Sequence, residues 1–430
     1  MPKYRIGATT ISLSLLCVMY GLTYIDRVSF STAASVMQPD LHFTNMQVGM
    51  VFSAFAYPYL FFQIFGGWFS DQFGARKTLA ISAIIWSAAT IICGLVGGLT
   101  GLLVARTLLG FGQGSAFPAA TRAMADWTPA AKHGMAQGFM HSSARLGNAL
   151  TPPLVVWLIS WTSWRESFII LGAVTVLWAI AWAIYFRDDP RRHPSVTLFE
   201  LRSLPDYGSR RQARRRVPWA SLTRRMIPVT IVYFCYGWTL WLYVAWTPSY
   251  FLHKFQLDLG KSAVFSAGVF LGGVLGAALG GIVSDWLLRK TANINIARRD
   301  VVVAGFLLSL TCMVLPMVWR GQTTAAFCFS AALFFAEFTV GPMWAIPMDI
   351  APQCSGSASG LMNVGSALAA ILSPLAFGYL VDGTGNWDLP FFGSIGLLFV
   401  GAIVAAVWMK PGAPLESSGQ GSGRPLQVEA

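Results

Sequence analysis

Charge is scarce in this chain. Asp, Glu, Lys and Arg make up 11% of its 430 residues, against about 25% in a water-soluble domain. That deficit, beside 55% hydrophobic residues, excludes a soluble globule, and lipid must be the solvent. Acids are scarcer still, 18 against 30 lysines and arginines. The net charge of +12 invites a nucleic-acid reading. The basic residues fall in the gaps between apolar runs, however, so no nucleic-acid partner is expected. Cysteine is also sparse. All six (Cys17, Cys93, Cys235, Cys312, Cys328, Cys354) lie in or beside apolar runs without C-x-x-C spacing, so neither a disulfide framework nor a metal site is expected. The chain shows no nucleophile–base pair and no phosphate loop, so neither an enzyme nor a cofactor is expected. A cleavable signal is not expected either, because the first apolar run is too long for one and carries Asp26 and Arg27.

What the chain has is apolar runs of membrane length. A helix crosses about 30 Å of hydrocarbon in roughly 20 residues. Such runs lie near 10–32, 46–69, 78–98, 101–125, 135–158 and 166–186, and again near 228–250, 262–287, 300–319, 323–347, 356–381 and 389–409. The two sets of six match an internal repeat. Gly66-Gly67-Trp68-Phe69-Ser70-Asp71 returns as Gly280-Gly281-Ile282-Val283-Ser284-Asp285, and Val51-Phe52-Ser53-Ala54 as Val264-Phe265-Ser266-Ala267. Gly147-x-Ala149-Leu150 returns as Gly365-x-Ala367-Leu368, and Trp164-x-x-x-Phe168 as Trp387-x-x-x-Phe391. Four echoes in one order indicate a duplicated half. Such repeats in a membrane chain signal a transporter that rocks two halves about a central site.

The expected fold is therefore all-α, with twelve transmembrane helices in two six-helix pseudo-repeats. Residues 1–186 and 228–410 form the bundles. Residues 187–227, with eleven arginines, form a cytoplasmic linker that touches lipid headgroups. Residues 411–430 form a disordered tail rich in Gly, Ser and Pro. Arg and Lys concentrate in the N-terminus, the 70–77 and 288–299 loops, the linker and the tail. This bias places both termini in the cytoplasm of a cell (inner) membrane protein.

The segment Gly67-x-x-Ser70-Asp71-Gln72-x-Gly74-x-Arg76-Lys77 resembles the loop between the second and third helices of the major facilitator superfamily. The resemblance covers about residues 8–410. It implies a conformational latch at Gly67, Asp71, Gly74 and Arg76, with second-half counterparts Asp285 and Arg289. Asp71 is placed to cap a neighbouring helix N-terminus and to pair with a basic residue. Tyr24-Ile25-Asp26-Arg27, Arg106-x-x-x-Gly110, Tyr233-Phe234-Cys235-Tyr236-Gly237-Trp238, Asp349-Ile350-Ala351-Pro352 and Gly360-Leu361-Met362-Asn363 are similar to signatures of the anion:cation symporter family. That family includes bacterial sugar-acid, tartrate, sulfoacetate and aromatic-acid carriers. The resemblance implies proton-driven import of a small organic anion by a monomer. An exchanger or exporter of the same fold, and a transporter-like sensor signalling through the linker, are the competing readings.

Each intramembrane charge needs a partner or a role. Five lie well inside runs: Asp26, Arg27, Arg106, Arg145 and Glu337. Their net positive balance suits a carboxylate or sulfonate, which arginine's fork holds bidentately. The expected substrate contacts are Tyr24, Arg27, Tyr59, Arg106, Arg145 and Asn363, with Trp238, Tyr243 and Trp344 where second-half contacts belong. Asp26 is the expected proton carrier; the alternative is a permanent ion pair with Arg106. Where the family's sugar-acid carriers have a second acid, seven residues after the Arg106 position, this chain has Gln113. Glu337 is either the substitute proton site or an arginine's partner. By the repeat echo Arg145 takes the place of Asn363. It serves as a third cationic contact or pairs with Glu337. His141 is read as a satisfied polar residue or a pH sensor.

Overall fold

The computed structural model describes residues 7–207, 217–257, 259–319 and 321–412. Among these residues every regular element is a helix. The first half comprises α1 (Ala8–Asp40), α2 (Asn45–Phe73), α3 (Ala75–Leu95), α4 (Leu99–Gly114), α5 (Ala116–Trp127), α6 (His133–Trp161) and α7 (Trp164–Tyr185). A short helix, α8 (Leu198–Ser203), follows in the linker. The second half comprises α9 (Trp219–Lys254), α10 (Leu259–Thr291), α11 (Val301–Val318), α12 (Gln322–Phe338), α13 (Val340–Ile350), α14 (Ser355–Thr384) and α15 (Leu389–Trp408). The predicted linker segment Arg214-Arg215-Arg216 and all of the tail beyond residue 412 lie outside the described residues.

Ten stretches among the described residues are long and apolar enough to cross a membrane. The other two crossings are α4 with α5, and α6. The first is broken at Ser115 into pieces of 16 and 12 residues, each short of a crossing by itself. The second is 29 residues long, but His141, Arg145 and Asn148 lower its apolarity. The tenth crossing breaks in the same way, between α12 and α13 at Thr339. The local cause is shared. Ser115 Oγ donates to the Gly112 carbonyl and Thr339 Oγ1 to the Ala336 carbonyl, back-bonding that bends a helix. A proline follows three residues later in each case, Pro118 and Pro342. It is tolerated because it falls in the first turn of the second piece.

Within the halves, α1 packs on α6 and α9 on α14; between the halves, α6 packs on α10 and α2 on α14. Large apolar side chains such as Phe61, Leu177 and Phe327 remain exposed on the outer face. Lipid is the medium that makes this exposure inexpensive. The chain is thus a multi-pass membrane protein. The helix of the seventh crossing begins at Trp219, ahead of the apolar run near 228, because Leu222 and Met226 are buried while Arg224 on the opposite side is exposed.

The linker is strapped to the first half. Asp188 Oδ1 accepts from the Arg76 backbone N–H at 3.0 Å, and the Arg187 carbonyl accepts from Trp127 Nε1 at 2.8 Å. Glu200 Oε2 closes the capping box of α8 with Thr197, while Oε1 accepts from Thr9 N (3.2 Å) and Thr9 Oγ1 (3.0 Å). Helix α1 starts at Gly7 with no side-chain cap of its own, so Glu200 supplies the missing acceptor. Burial alone would raise the Glu200 carboxyl. Hydrogen bonds from Thr197 and Thr9 hold it below the ordinary glutamate value.

Candidate functional site

At one end of the bundle the halves are joined by two related carboxylates. Asp71, at the end of α2, accepts from the Gly356 N–H (3.1 Å), the Ser357 N–H (2.7 Å) and Ser357 Oγ (2.6 Å). It thus caps the N-terminus of α14 in the opposite half. Asp285, on α10, accepts from the Gly134 N–H (3.1 Å) and the Met135 N–H (2.6 Å), capping α6 of the first half. Each cap satisfies N–H groups that a helix leaves orphaned and sits at the positive dipole end. Glycines make the close approach possible. A Cβ on Gly67 would lie 2.2 Å from the Gly356 carbonyl oxygen, and one on Gly281 would lie 2.2 Å from that of Gly134.

The cations around these caps differ between the halves. Arg122 Nη1 donates to the Pro352 carbonyl (2.7 Å), and Nη2 to Asp126 (2.7 Å), with Asp71 3.9 Å from Nε. In the second half Arg298 Nη1 holds Asp285 at 2.7 Å and Nε holds Asp349 at 2.9 Å. His133 Nδ1 lies 3.1 Å from Asp349 across the interface. Arg289 instead donates to the Asp285 carbonyl of its own helix at 3.4 Å. Arg76 binds the Ala183 carbonyl at the end of α7, and Gly74 turns the chain between α2 and α3 at φ 92°. Arg122 and Arg298 went unread in the sequence, where they resemble basic residues that merely set topology. The i,i+4 spacing of Arg122 and Asp126 was the available signal.

Between the halves lies a chamber lined by Tyr24, Arg27, Tyr59, Phe117, His141 and Arg145 of the first half. Tyr233, Leu240, Trp241, Trp344, Asn363, Ser366 and Ala367 complete it from the second. Its free volume is about 20 Å³, room for a water molecule and too little for an organic anion. Side chains or whole halves must therefore move to admit one.

Two arginines face this chamber in different states. The Arg27 guanidinium sits over the rings of Tyr59 (4.5 Å), Tyr24 (5.1 Å), Phe55 (5.2 Å) and Phe117 (5.2 Å). Its Nε donates to Gln113 Oε1 at 2.7 Å, and its Nη2 is buried without a hydrogen-bond partner. No carboxylate among the described residues pairs with it. Arg145, by contrast, lies 2.9 Å from Glu337 Oε1 with both groups buried. Tyr236 completes this triad, donating to Glu337 at 2.7 Å and accepting from Arg145 Nη2 at 3.0 Å. The pair joins α6 to α12, one element from each half. Tyr24 carries both cations on its ring, Arg145 at 5.2 Å.

Asn363 donates to Gln63 Oε1 (2.9 Å) and to Tyr59 (3.3 Å), linking α14 to α2. Asp26 and Arg106 stand apart from the chamber lining. Thr175 donates to Asp26 at 3.4 Å. Arg106 donates to the Val51 carbonyl at 3.3 Å and lies over Phe30 (4.8 Å) and Phe55 (5.1 Å). No ion pair joins Asp26 to Arg106. Of the second-half aromatics, Trp344 lines the chamber and donates to Tyr233 at 2.7 Å. Tyr243 packs instead against Phe329 and Phe391, and Trp238 against Phe234. Gln63, Trp241 and Ser366 were missed in the sequence. Ser366 lies one turn from Asn363 and Trp241 two turns from Tyr233, so helical spacing pointed to both.

The packing also corrects the repeat register. Gly134 meets Gly281 and Gly138 meets Ala277, just as Gly356 meets Gly67 and Gly360 meets Gln63. These pairs are offset by 222 residues (356 − 134, 360 − 138), where the Gly147–Gly365 echo implies 218 (365 − 147). The first-half counterpart of Asn363 is therefore His141, one helical turn before Arg145. The breaks at Ser115 and Thr339 likewise align Gln113 with Glu337, each two residues ahead of its break.

Residues 16–374 match the family described as the Major Facilitator Superfamily. A probable sulfoacetate transporter of Cupriavidus necator is 43% identical over 424 residues, 98% of each chain. A probable galactarate/D-glucarate transporter of Escherichia coli (strain K12) is 30% identical over 398 residues, 87% of each. Among solved structures, a proton:xylose symporter superposes with a TM-score of 0.76 at 15% identity, covering 95% of this chain and 98% of that one. A superfamily transporter in an outward conformation gives 0.69 at 14% identity, covering 93% and 99%. Such distant structures speak for the fold alone. A shared fold, a family match over most of the chain and a relative of 43% identity agree: this chain is a transporter and not an enzyme, and it belongs to the Major Facilitator Superfamily.

Proposed function

We propose that this protein imports a small organic anion (a sugar acid, dicarboxylate or sulfonate) together with protons, by alternating access across a cell inner membrane. The observation that carries this reading is Arg27. A guanidinium enclosed by four aromatic rings, with one buried nitrogen unpartnered and no carboxylate among the described residues paired with it, is costly to hold in a membrane interior. An arriving carboxylate or sulfonate offsets that cost and is gripped by the fork. The relatives support an acidic substrate, because sulfoacetate, galactarate and glucarate each carry two acid groups.

The second acid group competes with Glu337 for Arg145. A proton on Glu337 removes that competition and releases Arg145 to the substrate. Asp26, beside Arg27 in sequence, carries a further proton, and Arg106 adds to the positive field. Tyr24, Tyr59 and Asn363 orient the polar groups. The latch faces the cytoplasm, with both termini on that side: Gly67, Asp71 and Asp285 hold the halves together there while the chamber exchanges with the outside, and Gly74 and Arg76 fix the α2–α3 turn behind Asp71. The protein works as a monomer.

The test is uptake into proteoliposomes under an inward proton gradient, with sulfoacetate, galactarate and an aromatic acid as probes and Asp26→Asn as control. Accumulation of one class, lost in the variant, is the expected result. Gradient-independent exchange that survives in Asp26→Asn would make the protein an exchanger and leave Asp26 a packing residue.

A further inference from the structure

We propose that His141 is a substrate-recognition residue. It would donate a ring N–H to the anion from the first half, as the counterpart of Asn363 in the second. The inference rests on the organic-anion reading above and adds a residue and a geometry to it.

Three observations converge. The first is position. His141 lines the chamber, and the contacts of Gly138 and Gly360 place it at the first-half equivalent of Asn363. The second is an unmet requirement. The imidazole is 3% exposed, and neither ring nitrogen has a hydrogen-bond partner. Buried polar side chains are nearly always satisfied, and an orphaned one is a cost that structure alone does not return. Asn363 meets this requirement through Gln63 and Tyr59. At the matching place beside His141 the second half has Ala277 and Gly273, which offer no side-chain polar atom.

The third observation is fixation. Tyr20 meets the ring edge-on at 5.1 Å, Trp344 lies at 5.0 Å and Phe117 stacks at 6.1 Å. These three rings hold the imidazole plane, and neither nitrogen bonds to any of them. Arg145 lies one turn further along the same face, and Arg27 lies over Phe117, the ring on which His141 stacks. Arg27 and His141 line the same chamber, so an anion bound there meets both, the imidazole in its neutral form. That form carries one N–H donor and one acceptor lone pair, which suits an acid oxygen on one side and a hydroxyl on the other.

The experiment measures binding of sulfoacetate and galactarate to the purified full-length protein by calorimetry, with the melting temperature followed in parallel. Three variants are compared: His141→Phe, His141→Leu and His141→Gln. Removing an orphaned polar group should leave the unliganded melting temperature unchanged or higher in the Phe and Leu variants. Their affinity should fall at least tenfold, with less ligand-induced thermal stabilisation. His141→Gln keeps a donor and should bind within about threefold of the parent. Parent-like affinity in the Phe or Leu variant overturns the inference and leaves the organic-anion reading intact. Equal loss in all three, the Gln variant included, also overturns it, since shape and not the donor would then matter. A parent protein that binds neither probe removes the organic-anion reading, and this inference with it.

Discussion

At the residue scale the site is governed by which arginine already has an acid. Arg145 has Glu337; Arg27 has only the neutral amide of Gln113 at 2.7 Å. Because the two broken crossings align Gln113 with Glu337, the halves carry an amide and an acid at one structural position. On the proposed reading, this asymmetry leaves Arg27 to the ligand. Gln113→Glu should therefore install a competitor. We expect the substituted protein to be at least as heat-stable as the parent and to bind sulfoacetate at least tenfold more weakly, as a built-in carboxylate takes the fork. Calorimetric titration checks this, and unchanged affinity would remove Arg27 from the binding site. The sequence showed all five intramembrane charges but not their pairing. Arg145 and Glu337 are 192 residues apart (337 − 145), and nothing local to either selects the other over Asp26 or Arg106.

At the scale of elements, helix length followed from apolarity and helix breaks did not. Ser115 and Thr339 interrupt crossings that read as continuous apolar runs, because one back-bonding hydroxyl followed by a proline weighs little in a twenty-residue average. The close crossings were legible, but only half of them were read. The repeated Gly-Gly pairs marked α2 and α10, while the echo at their partners, Gly134-x-Ala136-x-Gly138 and Gly356-x-Ala358-x-Gly360, was passed over. Gly281→Val tests that crossing. Its Cβ would lie 2.2 Å from the Gly134 carbonyl oxygen, a backbone atom that cannot yield without shifting α6. We expect the latch end to stay open, with transport lost and a cysteine placed near Met135 labelled faster than in the parent. Normal transport by this variant would mean that α6 and α10 separate further in the working cycle than in the latched state.

At the scale of the whole molecule the latch is a balance of small terms. Each carboxylate satisfies the N–H groups of a helix in the other half, and a lost cap costs about 1 kcal/mol. The double substitution Asp71→Ala and Asp285→Ala, which removes both caps, should weaken closure by about 2 kcal/mol, a shift of up to roughly thirtyfold in population. Spin labels on α2 and α14 at the latch end would report it as a longer mean distance. An unchanged distance distribution would show that packing alone holds the end shut.

Composition and periodicity determined that this chain lives in lipid, crosses it many times and is built from two related halves. Those conclusions follow from transfer free energy, which sums over residues wherever they sit. The family motif marked Asp71, which caps α14, and the repeat supplied its echo, Asp285, which caps α6. Tertiary structure decided the rest: which arginine is neutralised, and that Arg298 rather than Arg289 holds Asp285. Each of these depends on a few ångströms between segments far apart in the chain. An ion pair or a cap is fixed by which helices pack face to face, and no average over neighbouring residues carries that information.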